Sequence, residues 1–322
     1  MRGNKPFRIV VAEPFAPEAV ARLQEIGEVR ILDNSAPETL LAALADADAL
    51  LVRSKAHVTA RIIDGAPKLK VVGRASTNVD HIDLKAASKR KISVVYAPNV
   101  AVTSTAEFTL ALILALHRRI LFHDHRLREG DFDALRAPAG REMGHQVLGL
   151  LGVDPVSEHL AKMCRAAFGM KVIWHDPFGH SPILEAAGKV DLPKLLAETD
   201  ILSLHLPMGR ETRGFLNAER LVLLKPSAVV VNSSRGALID TVALAAVLKQ
   251  QRIAGAALDV FEVEPLPADH PLRKAPNCIL TPHVAGATLD AAAERFTVAD
   301  DVVRVLQGEK PIHPADLPEA TR

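Results

Sequence analysis

Short apolar runs constrain this chain more than any other feature. In the first third, Arg8–Ala12, Val29–Leu32, Ala49–Val52, Val71–Gly73 and Ile92–Tyr96 read as strands. Ala19–Ile26, Pro37–Ala47 and Leu84–Lys91 read as helices or turns between them. The strand runs are apolar nearly throughout, so both faces must be covered, as in parallel sheets with crossover helices. A helical segment from near Ser104 to about Leu127 follows, with Leu110, Leu112, Ile113 and Leu116 on its apolar face. Gly130 and the stretch Arg136–Gly140 end it. A second alternating series runs through Val147–Leu151, Lys171–Trp174, Ile201–His205, Ala228–Asn232, Gly255–Asp259 and Cys278–Thr281. A last amphipathic segment spans Leu289–Gln307. At 322 residues the chain is long for one core and suits two α/β domains with a cleft between them.

A net charge of +1, with signs interspersed, argues against a nucleic acid or a membrane surface held by charge. Cys164 and Cys278 sit in apolar runs and read as buried, reduced thiols. No Cys/His cluster has metal-ligand spacing, so no metal is expected. A short basic leader runs straight into the strand Phe7–Ala12, and no apolar span reaches membrane length. A cytoplasmic protein is expected.

Three strings in the last third carry the chemistry. They are Val-Asn-Ser-Ser-Arg-Gly at 231–236, Leu-Asp-Val-Phe-Glu-Val-Glu-Pro at 258–265 and Leu-Thr-Pro-His-Val-Ala-Gly at 280–286. Each begins as an apolar strand and breaks at a polar residue, which would deliver Arg235, Glu264 and His283 to strand ends. An Arg fork suits a carboxylate. A His moves a proton, and a neighbouring carboxylate favours its protonated form. Glu262 would point to the opposite face and reads as a bystander.

The strings resemble the D-isomer-specific 2-hydroxyacid dehydrogenases, which include phosphoglycerate, glyoxylate/hydroxypyruvate, formate and D-lactate dehydrogenases. The resemblance runs almost end to end. It implies two doubly wound parallel-sheet domains: a flavodoxin-like substrate-binding lid of residues 1–101 and 288–322, and a Rossmann cofactor domain of residues 102–287. The last helix would return to the first domain, so that two connections act as hinges. It also implies Arg235, Glu264 and His283 as catalytic residues, NAD as cofactor, and a homodimer paired through the long helix and the segment after it.

The resemblance breaks at the dinucleotide fingerprint. A Gly-x-Gly-x-x-Gly turn serves a tight bend, close approach to the pyrophosphate, and helix–strand packing. Here Gly152 keeps the first role, Asp154 replaces the second glycine and Ser157 the third. Asp154-Pro155 is a good helix start, yet its carboxylate would sit where a helix N-terminus attracts phosphate. Either the carboxylate turns outward, or the dinucleotide is weakened, repositioned or lost. The resemblance assigns Gly152, Pro155, Val156, His205, Pro207, Ser233, Ser234, Asp259 and Gly286 to the cofactor. Asp176 would accept the adenosine ribose hydroxyls and favour NAD over NADP.

In the first domain the family's Gly-rich, carboxylate-binding loop reads Ala-Ser-Thr-Asn-Val-Asp at 75–80, with both glycines replaced. Ser76, Thr77 and Asn78, with Arg53 and Ser54, are implied as substrate-binding. The expected activity is hydride transfer between a nicotinamide cofactor and a small 2-hydroxy or 2-keto acid, phosphoglycerate- or hydroxypyruvate-like. The alternative is a catalytically impaired dinucleotide- or metabolite-sensing protein of the same fold. An enzyme of this fold acting on an imine or a phosphonate is a third reading.

Overall fold

The computed structural model describes residues 6–318 except 54, 133–139, 183, 295 and 296. Two compact units emerge, Met1–Ala101 with Thr288–Arg322, and Val102–Ala287. In chain order the first comprises β1 (Phe7–Val11), α1 (Pro17–Gln24), β2 (Gly27–Ile31), α2 (Pro37–Leu44), β3 (Ala49–Val52), α3 (Ala60–Asp64), β4 (Val71–Arg74), α4 (Leu84–Lys89) and β5 (Ser93–Tyr96). The second comprises α5 (Val102–His117), α6 (Ile120–Arg128), β6 (Val147–Leu151), α7 (Pro155–Phe168), β7 (Lys171–His175), α8 (Leu192–Glu198), β8 (Ile201–Leu204), α9 (Ala218–Leu221), β9 (Val229–Asn232), α10 (Thr241–Lys249), β10 (Gly255–Leu258) and β11 (Cys278–Leu280). Then α11 (Leu289–Glu294) and α12 (Thr297–Leu306) rejoin the first unit. Each expected strand is present, its ends shifted by at most one or two residues.

The first unit is an all-parallel sheet in the order β2-β1-β3-β4-β5. Strand periodicity sends Leu50, Val52, Val72 and Val94 to one face, where they pack with Leu40, Leu44, Ile62 and Ile63. Ile9, Val11, Leu51, Val71 and Val95 line the other face and pack with Leu23 of α1 and Val298, Val302 and Val303 of α12. Gly73 lets α12 approach β4, since a Cβ there would lie 2.7 Å from a Val302 methyl and 3.2 Å from one of Val298. Buried Asp301 accepts hydrogen bonds from the amides of Ile312 and His313, tying the following segment to this unit.

The second unit is a parallel sheet in the order β11-β10-β9-β8-β6-β7. Several of its helices begin at side-chain caps: Asp154 for α7, Asp191 for α8 and Asp240 for α10 each accept a backbone N–H. β6 pairs with β7 on one side and β8 on the other. The chain reverses direction across the sheet there, and the carboxyl ends of such strands are where ligands of open α/β sheets bind.

The expected helix from Ser104 to Leu127 is two helices. Arg119 adopts a left-handed backbone, φ 52°, and its N–H bonds Leu116 O, three residues back. That breaks the helical ladder, although the apolar pattern continues across the break. Leu112, Ile113 and Leu116 of α5 are buried, whereas α6 buries no residue. No helix among the described residues is long and apolar enough to cross a membrane.

Two outcomes follow from this packing. Gly73→Ala drives a methyl against the β-branched, stiff Val302, so urea denaturation should show a loss of about 1–3 kcal/mol; an unchanged midpoint would refute the close approach. Burial pushes the Cys164 and Cys278 thiols up to about 12. A disulfide reagent at pH 7–8 should therefore label neither thiol rapidly in the native protein and both after denaturation.

Candidate active site

The three strings become loops that follow the carboxyl ends of β9, β10 and β11, which lie side by side. Asp259, the first residue after β10, is fully buried and grips the third loop. Its backbone carbonyl accepts His283 N–H at 2.8 Å. Its carboxylate accepts the Thr281 hydroxyl at 2.6 Å and the amides of Val284 and Ala285 at 3.0 and 2.9 Å. The grip holds His283 in a left-handed backbone, φ 55°. A non-glycine residue in that region costs on the order of 1–3 kcal/mol and persists only where its surroundings enforce it.

Glu264 lies six residues beyond β10, within a loop and not at the strand edge as expected. The chain first turns about Phe261, whose N–H donates to Glu264 Oε1 at 3.0 Å. Glu264 Oε2 lies 2.8 Å from His283 Nδ1. Burial alone would raise the Glu264 carboxyl, but the His283 hydrogen bond, the Phe261 amide and the His283 charge together hold it below its ordinary value. The Glu264 carboxylate therefore stays charged below the usual carboxylate range, and that charge is lost as pH falls through the lowered value. With Nδ1 engaged and its side chain 60% exposed, His283 presents Nε2 to an incoming molecule.

Arg235 is held through its backbone. Buried Asn232 at the end of β9 donates from Nδ2 to Arg235 O at 2.9 Å and accepts Ser234 N–H at 3.1 Å. Gly236 lies directly on Phe261, where a Cβ would come within 1.9 Å of the Phe261 carbonyl carbon. The Phe261 backbone thus joins the Arg235 loop to the loop that carries Glu264. The Arg235 guanidinium donates to Ser234 O at 2.9 Å and is otherwise exposed. Direct contact unites Glu264 with His283; among the described residues no hydrogen bond or ion pair links Arg235 to either. Glu262 pairs with exposed Arg213, away from His283.

Of the expected cofactor residues, Gly152, Pro155, Val156, Asp176, His205 and Pro207 follow β6, β7 and β8 at the switch point, whereas Ser233, Ser234, Asp259 and Gly286 follow β9, β10 and β11. Gly152 has φ 98°, and a Cβ there would lie 2.2 Å from Leu206 N, so the turn after β6 requires glycine to pack on the loop after β8. The Asp154 carboxylate does not turn outward. It accepts Ser157 N–H at 2.7 Å, while Ser157 Oγ accepts Asp154 N–H at 2.8 Å, a reciprocal capping box. Asp154 Oδ1 also lies 3.2 Å from Nδ1 of His205. His205 is buried; its Nε2 shares a hydrogen bond with Ser203 Oγ at 2.8 Å, while Nδ1 lacks hydrogen-bond geometry to any described group. Burial would raise the Asp154 carboxyl, but His205 and the Ser157 donors outweigh it and lower the value.

Asp176 is buried at the end of β7, where Val153 N–H donates to Oδ2 and Phe178 and Gly179 N–H to Oδ1. Of a carboxylate's roughly four acceptor sites, about one is left for a ribose hydroxyl. Ser233 Oγ lies 2.5 Å from Thr109 Oγ1 of α5. Pro155 and Pro207 are exposed, and Val156, Ser234 and Gly286 half-buried. The strand–turn–helix, Gly152 and Asp176 fit a dinucleotide, whereas the donors that would meet its diphosphate are largely occupied. Among the described residues, no group of three or more His, Cys, Asp or Glu could hold a metal.

In the first unit, Ser54 lies outside the described residues. Buried Glu13 accepts the amides of Arg53, Lys55 and Ala56. Buried Arg74 donates to Arg53 O at 3.0 Å and to Asn78 O at 2.7 Å, and also contacts the Asn78 side-chain oxygen. Ser76 is half-buried and Thr77 exposed. Glu13 and Arg74 therefore shape both loops. Sequence reasoning missed them, along with Gly236 and Asn232. The available signal was a charged residue closing an apolar strand, as in Phe-Arg-Ile-Val-Val-Ala-Glu and Val-Val-Gly-Arg.

Comparison with known proteins matches residues 110–285 to the D-isomer specific 2-hydroxyacid dehydrogenase, NAD binding domain. D-3-phosphoglycerate dehydrogenase of Methanocaldococcus jannaschii is 38% identical over 97% of the chain, which spans 60% of that relative. Glyoxylate reductase of Thermofilum pendens is 40% identical, covering 85% of this chain and 83% of its own. The TT0316 protein of Thermus thermophilus superposes with a TM-score of 0.84 at 34% identity, covering 96% of this chain and 100% of that one. With a Gly152 turn at the switch point and a His283–Glu264 pair beside the Arg235 loop, the chain belongs to the D-isomer specific 2-hydroxyacid dehydrogenase family.

Proposed function

We propose that this chain is an NAD-dependent oxidoreductase that interconverts a small 2-keto acid and its 2-hydroxy acid, of phosphoglycerate, glyoxylate or hydroxypyruvate type. The observation that carries this reading is the 2.8 Å contact of His283 Nδ1 with Glu264. It fixes the ring and leaves Nε2 to work on substrate. Reduction adds a hydride to the carbonyl carbon and a proton to its oxygen; oxidation removes both. A nicotinamide, when bound, supplies or receives the hydride. His283 Nε2 gives the proton in one direction and takes it in the other. Glu264 orients the imidazole through Nδ1. Arg235, exposed on the neighbouring loop, takes the substrate carboxylate and polarises the carbonyl.

Gly152, Val156, Asp176, His205, Ser233, Ser234 and Gly286 are the residues that would hold the cofactor, with Pro155 and Pro207 shaping their turns. Asp259 would orient the carboxamide in addition to holding the His283 loop. Its carboxylate at the adenosine ribose makes Asp176 unfavourable to a 2′-phosphate, which favours NAD over NADP. Arg53, Ser54, Ser76, Thr77 and Asn78 of the first unit would serve as its substrate-binding residues. A homodimer would cover α6, where Ile120, Leu121 and Leu127 are each more than half exposed. Two unpaired thiols suit the cytoplasm.

One observation favours the sensing alternative: the occupied donors of the turn after β6. Turnover decides between them. With NADH and a panel of 2-keto acids, the wild type should consume reduced cofactor. His283→Ala should lower kcat by about 10²–10⁴-fold with little change in NADH affinity. Glu264→Gln keeps an acceptor and loses the charge, so it should fall between the two. Tight NADH binding without turnover on any 2-keto acid would overturn the enzyme reading, as would full activity in His283→Ala.

A further inference from the structure

The N-terminus of α7 is already supplied with an anion. Five residues from Gly152 to Ser157 carry an amide N–H, since Pro155 has none, and four of these are engaged within the protein. Gly152 N–H donates to His175 O at 2.8 Å. Val153 N–H donates to Asp176 Oδ2 at 2.8 Å, Asp154 N–H to Ser157 Oγ at 2.8 Å, and Ser157 N–H to Asp154 Oδ1 at 2.7 Å. Only Val156 N–H is without a partner among the described residues. The Asp154 carboxylate also sits at the positive end of a 14-residue helix, where anions are stabilised. On its other side it meets Nδ1 of buried His205, a ring nitrogen with no hydrogen bond of its own.

We propose that the Asp154 carboxylate is a built-in competitor of a dinucleotide's linking diphosphate for the N-terminus of α7. The proposal rests on the reading of this unit as a nicotinamide-dinucleotide site. A diphosphate drawn to the N-terminus of α7 would share the helix field and the neighbouring amides with the Asp154 carboxylate, which already holds Ser157 N–H, and the two anions repel one another. Binding must therefore open the capping box and move Asp154 from its place beside His205. Ser157 makes the competition stronger, because its hydroxyl engages Asp154 N–H and locks the box from the other side. This chain accordingly holds the dinucleotide more weakly than its fold would allow, and the self-capped helix is the more stable for it.

The test is calorimetric titration of the full chain with NADH, with ADP-ribose, which keeps the diphosphate and lacks nicotinamide, and with adenosine, which lacks both. Asp154→Gly frees Ser157 N–H and removes the charge. It should tighten NADH and ADP-ribose at least tenfold, about 1.4 kcal/mol, while lowering the denaturation midpoint. Asp154→Asn keeps the cap without the charge and should tighten both ligands by a smaller factor, at little expense in stability. Adenosine affinity should stay within twofold throughout. Unchanged or weaker NADH binding in Asp154→Gly would overturn the proposal, as would equal tightening of adenosine. The functional reading is tested separately by turnover. Turnover with an unmoved dissociation constant removes the competitor and keeps the enzyme; tightening of ADP-ribose without turnover in any form does the reverse.

Discussion

The buried carboxylate and carbonyl of Asp259 are what the reacting end depends on. Together they accept four hydrogen bonds from residues 281–285, and those bonds hold His283 in a left-handed conformation that an imidazole-bearing residue would otherwise leave. Because the anchor sits at the end of a central strand with no solvent around it, its hydrogen bonds are protected from competition by water. The His283 imidazole can therefore stand largely in solvent and still have a defined direction. Rigidity comes from beneath the site, and accessibility is kept above it.

Much of this was legible in the sequence because apolar runs announce strands and their polar ends announce loops. Strand positions and, through the family resemblance, the partnership of His283 with Glu264 belong to that legible part. What escaped has identifiable physical causes. The break at Arg119 is invisible because the apolar spacing carries on through it. The seat of Gly236 on the Phe261 backbone leaves no side-chain pattern to find. Glu13 and Arg74 look like solvated charges at strand ends, yet both are buried and hydrogen-bonded to loops. Asp154-Pro155 reads as a helix cap whichever way the carboxylate faces, so only coordinates show that it turns in.

The two ends of the second unit present opposite cases. At β9, β10 and β11 the backbone polar groups are satisfied so that one ring nitrogen is left free. At β6 the backbone polar groups are satisfied so that almost nothing is left free. Gly152 is retained in both senses: its positive φ and its contact with Leu206 are needed whether or not phosphate is present. The glycine marks the packing of the fold, while the residues at 154 and 157 determine how open the turn is to an anion.

Chain order has a consequence for synthesis. The five strands of the first unit are complete at Tyr96, but α12, which covers the face bearing Ile9, Val11, Leu51, Val71 and Val95, begins only at Thr297. A ribosome adding about 5–20 residues per second needs on the order of 10–40 s to cross the roughly 200 intervening positions. Throughout that interval one side of a parallel sheet has α1 but lacks the rest of its cover, while the whole second unit emerges and can fold. The nascent first unit is thus a sticky half-sandwich awaiting its last helix, and protection by chaperones would matter most before α12 emerges.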